Sequence, residues 1–217
     1  MEIYLLRHGE IEGEGDKRLI GRTDVPLSET GQSQARWWRT ALEHVRFRRV
    51  YCSDLVRAHQ TAEILAARGT RSVTVVPELR EINLGRWDGL TAEQVKTRFP
   101  GEWEERGLNF AEYRPIGGES FSDLAGRVVP IFEAICNDSG DATVVVGHAG
   151  VNRVILCHVL GMPVSNVFRL SQDYGALNII DCSREWSQVR LMNLTPFRFP
   201  RSEADRVPSE RSQVHRS

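Results

Sequence analysis

Ile3 to Leu6 is a short apolar run that stops at Arg7-His8-Gly9-Glu10, the pattern of a buried parallel strand delivering polar residues at its carboxyl end. After a Gly- and Asp-rich loop, Ser28 precedes Thr30 and Gly31. Ala35, Trp38, Leu42 and Val45 then recur at helical spacing, which predicts a helix from about 31 to 45. Val50-Tyr51-Cys52 reads as a second strand. Ser53 or Asp54 is placed to cap a helix on which Leu55, Ala58, Ala62 and Leu65 share a face, stopping near Gly69. Ser72 to Val76 reads as a third strand and Thr143 to Val146 as a buried one. Gly147-His148-Ala149-Gly150 leads into a helix carrying Val151, Val154, Ile155 and Val159, and two further strands fall at about 176–181 and 188–194.

Between Glu78 and about Gly118 the periodicity weakens and only 91–99 has a helical pattern, so 83–118 is expected to be an irregular, cap-like insertion. Its aromatics, Trp87, Trp103, Phe110 and Tyr113, favour a functional role. Phe121 to Cys136 is apolar enough for a helix that Pro130 should kink or interrupt. The stretch 196–217 has almost nothing apolar after Phe199 and is expected to be a disordered polar tail. Alternating strands and helices over 1–195, without a second-domain linker, predict a single α/β domain. The expected architecture is a three-layer α/β/α sandwich around a largely parallel mixed sheet, with ligands bound beyond the carboxyl ends of the strands.

Composition narrows the classes. The 217 residues are 41% hydrophobic, 26% charged and 8% aromatic, which is ordinary globular usage and not that of a disordered, collagenous or disulfide-scaffold chain. With 28 basic against 29 acidic residues the formal charge is -1, so no global field favours nucleic acid or an anionic membrane, and any anion site must be local. Lys17 and Lys96 are the only lysines; the arginine bias suits carboxylate and phosphate recognition but is equally compatible with compositional drift. Cys52, Cys136, Cys157 and Cys182 lack zinc or redox spacing and read as reduced core thiols. The first residues do not resemble a signal peptide and no apolar stretch approaches the roughly 18 residues of a membrane span, which predicts a cytoplasmic protein.

Three segments place polar residues where a strand gives way to a helix or loop: Arg7 to Glu10, Ser53 to Arg57, and Gly147 to Gly150. A single His after a strand is more often structural than catalytic, and an Arg on a helix is usually solvated. Three such placements at one sheet edge have one common explanation. Arg57 falls in the first helical turn, where a cation is disfavoured unless an anion shares the site. With Arg7, two imidazoles and helix N-terminal N–H groups, the natural occupant is a phosphoryl group.

The segments LLRHGE (5–10), GRTDVPLSETG (21–31), SDLVRAHQTAE (53–63), ELREINLGRWDGL (78–90), GGES (117–120) and VVVGHAGVNRVI (144–155) together resemble the histidine phosphatase superfamily, the phosphoglycerate mutase-like family, over about residues 1–195. The resemblance implies that His8 is a nucleophile that becomes phosphorylated and that Arg7, Arg57 and His148 hold the phosphoryl oxygens. Gly21 would border the substrate site, and Glu81 would donate and accept the proton, with Glu10 and Glu119 the next carboxylates to consider. No metal and no cofactor are implied, and the expected partner is a small phosphorylated substrate, with neither nucleic acid nor membrane. Members often read RHGET with an Asn a few residues on, whereas this chain has Ile11 and Gly13-Glu14-Gly15, so a side-chain amide at the site's edge is missing.

The resemblance implies a phosphomonoester hydrolase acting through phosphohistidine, and the run QDYGALN at 172–178 is similar to that of alpha-ribazole phosphatases. A phosphoglycerate mutase is the nearest rival, disfavoured because such mutases carry a larger insertion. A non-catalytic phospholigand-binding module is the other, disfavoured because binding alone needs neither His8 nor Glu81.

Overall fold

In the computed structural model, which describes residues 1–13, 18–67, 71–137, 142–183 and 187–196, β1 (Glu2–Arg7) lies inside a six-stranded sheet ordered β3-β2-β4-β1-β5-β6. β2 (Phe47–Cys52), β3 (Ser72–Val75) and β4 (Ala142–Gly147) join it in parallel pairing, while β5 (Leu177–Cys182) pairs antiparallel with β1, and β6 (Ser187–Leu194) antiparallel with β5. The expected disordered tail lies outside the described residues from 197 onward.

Period-two alternation along the central strands builds the layers. Ile3, Leu5 and Val145 bury one face against α5 (Phe121–Asn137) and α6 (Ala149–Val159). Tyr4, Leu6, Val144 and Val146 bury the other against α1 (Glu29–Ala41) and α2 (Val56–Ala66). This is the three-layer sandwich that the alternating pattern predicts. No helix among the described residues is long and apolar enough to cross a membrane.

Several boundaries depart from the sequence pattern. α1 starts earlier, because the Ser28 hydroxyl accepts the Gly31 N–H. It stops at Ala41, and the apolar spacing of Leu42 and Val45 continues through a turn that keeps Leu42 buried while the chain reverses into β2. Neither Ser53 nor Asp54 caps α2. Its N-cap is Leu55, Asp54 pairs with Arg80, and the orphan N–H of Val56 donates to Asp24 Oδ1 at 2.7 Å from another loop. α5 runs unbroken through Pro130, in place of the expected interruption. Pro130 and Gly126, four residues before it, are both exposed, so water can satisfy the carbonyl that the missing N–H leaves free.

The insertion holds α3 (Ala92–Arg98), closed by a Thr91/Gln94 capping box, and also α4 (Glu102–Leu108), which the sequence pattern does not reveal. No residue of α4 is fully buried, so no apolar stripe announces it. Just beyond the carboxyl end of β1 two backbones meet directly: a Cβ on Gly31 would collide with the Glu10 carbonyl oxygen, and one on Gly9 with Gly31 itself. All four cysteines are free thiols, with Cys136 only partly buried and its Sγ 2.6 Å from that of Cys182.

Asp24→Ala removes the cap that α2 takes from outside its own sequence. Stability should fall by about 1 kcal/mol, measured as a shift in urea midpoint at unchanged slope; an unchanged midpoint would show that water caps Val56 as well.

Candidate active site

The register of the sheet brings the three polar segments together. β1 and β4 pair in parallel with Arg7 opposite Gly147, and the His8 N–H donates to the Gly147 carbonyl at 3.0 Å, so His8 and His148 leave adjacent strands side by side. Their ring centroids are 5.0 Å apart. β2 pairs with the other edge of β4, ends at Cys52 opposite Val146, and passes through buried Ser53 into α2, which carries Arg57 in its first turn. Three neighbouring carboxyl ends thus supply His8, His148, Arg7 and Arg57.

The cluster is withdrawn from water: His8 is 4%, Arg57 1% and His148 0% exposed. His8 Nδ1 lies 2.7 Å from the carbonyl of Gly9. In the neutral ring that bond places the proton on Nδ1 and leaves Nε2 with its lone pair. Burial, then the charges of Arg7 and Arg57, hold the His8 imidazole well below its ordinary pKa. His148 is lowered in the same way by burial, His8 and the nearby arginines, and both its ring nitrogens are buried without a hydrogen-bond partner among the described residues. Among the described residues Arg57 has no carboxylate in ion-pair contact; Nη1 donates to the Thr23 carbonyl at 2.8 Å and Nη2 to that of Gly21 at 2.7 Å. A buried cation with carbonyl partners only, beside an imidazole with unsatisfied nitrogens, is a site that an anion completes.

Gly21 therefore touches the cluster through Arg57. Its own N–H is committed to Asp88 Oδ1 at 2.9 Å, and its carbonyl supports the guanidinium. The Asp88 carboxylate also takes the N–H groups of Arg22 and Thr23, at 2.8 and 3.0 Å, and so shapes the loop whose carbonyls hold Arg57.

Glu81 is brought to the same place from the loop after β3. Its Oε1 accepts the Ile82 N–H at 2.9 Å and its Oε2 the Gly150 N–H, in the first turn of α6, at 3.0 Å. A Cβ at Gly150 would collide with this carboxylate, so the helix start must be bare there. The peptide of Glu81 is clamped too: Arg127 Nη2 donates to its carbonyl at 3.0 Å and pairs with Glu119 Oε2 at 2.9 Å, and Arg22 Nη2 meets Glu119 Oε1 at 2.8 Å. Against the opposing effect of burial, the Arg127 hydrogen bonds, the Asn83 N–H and the two guanidiniums keep Glu119 below the usual carboxylate range. Glu119 is thus occupied as a strut, and Glu10 Oε1 accepts the Ser28 hydroxyl at 2.9 Å.

Motif reading missed Asp88, Asp24, Arg22, Arg127 and Tyr174. Tyr174, whose ring lies 5.5 Å from that of His8 and 3.6 Å from the Arg7 guanidinium carbon, sits in the QDYGALN run, where a Tyr between Asp and Gly was its only signal. Arg7 Nη1 donates to the Gln172 carbonyl at 2.7 Å, which fixes that arginine at the mouth. Beside Arg7, Glu81 and Gly150 opens a cavity of about 220 Å³ whose far wall comes from the insertion. Among the described residues no group of three or more His, Cys, Asp or Glu is placed to hold a metal ion.

A sequence profile of the histidine phosphatase superfamily (branch 1) matches residues 3–195, and the chain belongs to that family. Among its relatives is the adenosylcobalamin/alpha-ribazole phosphatase of Escherichia coli K12, 27% identical over 89% of this chain and 96% of the relative. Another, 32% identical over 76% of each, is the glucosyl-3-phosphoglycerate phosphatase of Mycolicibacterium vanbaalenii. The crystal structure of the alpha-ribazole phosphatase from Shigella flexneri superposes with a TM-score of 0.83 at 26% identity, covering 89% of this chain and 96% of that one. With this family and these phosphatase relatives, the chain is a phosphoric monoester hydrolase.

The depressed imidazoles make stability depend on pH. An unfolded His takes up a proton near pH ~6.5, whereas buried His8 and His148 stay neutral, so stability is fully present above that value and falls as pH drops through it. Each contributes a slope of up to about 1.4 kcal/mol per pH unit. Urea unfolding at pH 7.5, 6.5 and 5.5 without phosphate should give a shallower decline for His148→Asn than for wild type; equal slopes would mean that His148 is protonated in the fold.

Proposed function

We propose that this protein hydrolyses small phosphomonoesters through a phosphohistidine on His8, without a metal. The observation that carries the reading is the buried cluster itself: a neutral His8 with its lone pair on Nε2, set among Arg7, Arg57 and His148, with the Glu81 carboxyl at the adjoining helix start. In the first step Nε2 forms a bond to phosphorus as the P–O bond to the alcohol breaks, and protonated Glu81 gives its proton to the departing alkoxide. Arg7, Arg57 and His148 meet the equatorial oxygens, supplying the charge a cation would otherwise provide. In the second step the Glu81 carboxylate takes a proton from water, oxygen attacks phosphorus, and the N–P bond breaks to restore neutral His8.

A phosphoglycerate mutase would share the first step and pass the group to a sugar-acid hydroxyl. A binding module would use the arginines alone, and the placement of Glu81 opposes that reading. Alpha-ribazole phosphate and glucosyl-3-phosphoglycerate, taken from the names of the relatives, are the first substrates to test. The setting in which the protein works is proposed to be the cytoplasm.

Acid-quenched enzyme mixed with labelled substrate should carry acid-labile phosphate on His8, and His8→Ala should lose turnover by several orders of magnitude with its circular dichroism unchanged. Label on another residue, or turnover near wild type in His8→Ala, would remove the central claim. Activity on a phosphomonoester panel should survive exhaustive chelation.

Glu81→Gln should slow phosphorylation of His8 by alkyl phosphates far more than by nitrophenyl phosphate, whose leaving group departs without a proton. Equal losses in single-turnover experiments would assign the acid elsewhere.

A further inference from the structure

We propose that the cavity beside Glu81 is a subsite for a second anionic group on the alcohol half of the substrate, held by Arg106 with Arg153 beside it. The inference rests on the hydrolase reading above and narrows its substrate class to phosphomonoesters bearing an additional carboxylate or phosphate.

Arg106 stands on α4, the helix that no apolar pattern announces, and its guanidinium carbon lies 4.4 Å from the ring centre of Phe110, 5.5 Å from Trp103 and 5.8 Å from Phe168. It is half-buried and makes no hydrogen bond or ion pair among the described residues. Stacking on rings uses the flat face of a guanidinium and leaves its in-plane N–H donors to be satisfied by something else. Arg153, on α6, reaches the same Phe168 ring at 5.0 Å; its Nε donates to the Leu170 carbonyl, and no described carboxylate pairs with it. Burial works against the charge of both arginines.

Among the described residues, Arg106 and Arg153 on the cavity wall have no carboxylate in ion-pair contact. Glu81 and Glu119 both line the cavity, but Glu119 is already neutralised by Arg22 and Arg127. A transferring phosphoryl dianion would be met by Arg7 and Arg57, which leaves Arg106 without a neighbouring carboxylate and Arg153 with only the longer-range charges of Glu81 and Asp173. A neutral leaving group would seal the Arg106 guanidinium and the Nη groups of Arg153 away from water without an acceptor, whereas an anionic one gives them charge-assisted hydrogen bonds. An aromatic floor alone would suit a neutral base or sugar; the arginines on it select against that choice.

The experiment compares kcat/KM, scored as free phosphate, within matched pairs: 3-phosphoglycerate against glycerol 3-phosphate, and fructose 1,6-bisphosphate against fructose 6-phosphate. Wild type should favour the anionic member of at least one pair by about tenfold or more, and the pair that responds identifies carboxylate or phosphate as the second anion. Arg106→Gln should bring that ratio to within about threefold of unity, Arg153→Gln should lower it, and Arg106→Lys should keep part of it. A ratio does not depend on the folded fraction, so partial misfolding cannot imitate this result. Ratios near unity in wild type, ratios that survive both glutamine variants, or equal losses on both members of a pair would overturn the proposal. If nitrophenyl phosphate is hydrolysed briskly in those cases, only the subsite falls; if no ester yields phosphate, the hydrolase reading falls and takes the subsite with it.

Discussion

Removing the Arg57 guanidinium from water to 1% exposure, with no described carboxylate in ion-pair contact, costs on the order of several kcal/mol, and much of the surrounding structure is arranged around that cost. The carbonyls of Gly21 and Thr23 offset part of it with dipoles that leave the full positive charge in place. A carboxylate there would stabilise the fold better and abolish the site, because the arginine would then have no charge to offer an incoming anion. Thr61, accepting the Gly9 N–H at 3.2 Å and donating to the Arg57 carbonyl at 2.8 Å, ties the helix carrying this cation to the strand end carrying His8.

The same division between charged and supporting groups recurs around Glu81. Glu119 gives up its charge to Arg22 and Arg127, and the clamp so formed grips the Glu81 backbone and leaves its carboxylate to the α6 helix start. Asp88 is spent on backbone N–H groups of the loop that faces Arg57. Acids near the cationic cluster are thereby hydrogen-bonded to backbone or to arginines outside it, and Glu81, Asp24 and Asp88 support the Arg57 charge from a distance without pairing with it.

The strands, the layers and the convergence of His8, Arg57 and His148 were legible in the sequence because alternation and abrupt apolar-to-polar transitions are local signals. The Glu81 role was visible only through resemblance, since its loop has no periodicity. What escaped is long-range: Asp24 caps a helix 32 residues away and Arg127 clamps a peptide 46 residues before it. A residue's own neighbours in sequence carry no trace of such a partner. The misplaced cap on α2 illustrates the point, since Ser53 and Asp54 have the right chemistry and Asp54 is engaged by Arg80. α4 escaped for the opposite reason: its contacts are the Trp103 ring tilted against Trp87 and the Arg106 guanidinium over neighbouring rings, and neither follows the 3.6-residue rhythm of aliphatic burial.

Because Arg57 is held by main-chain oxygens, the exposed side chain of Thr23 has no part in cradling it. Gly21 is the position where bulk is refused, since a Cβ there would lie 2.7 Å from the Ile82 carbonyl oxygen. Over evolutionary time the side chain at position 23 is free to drift, lengthen or gain a charge while the cradle beneath it stays constant. A lineage can thus acquire a new substrate without first passing through an ancestor that has lost its grip on phosphate.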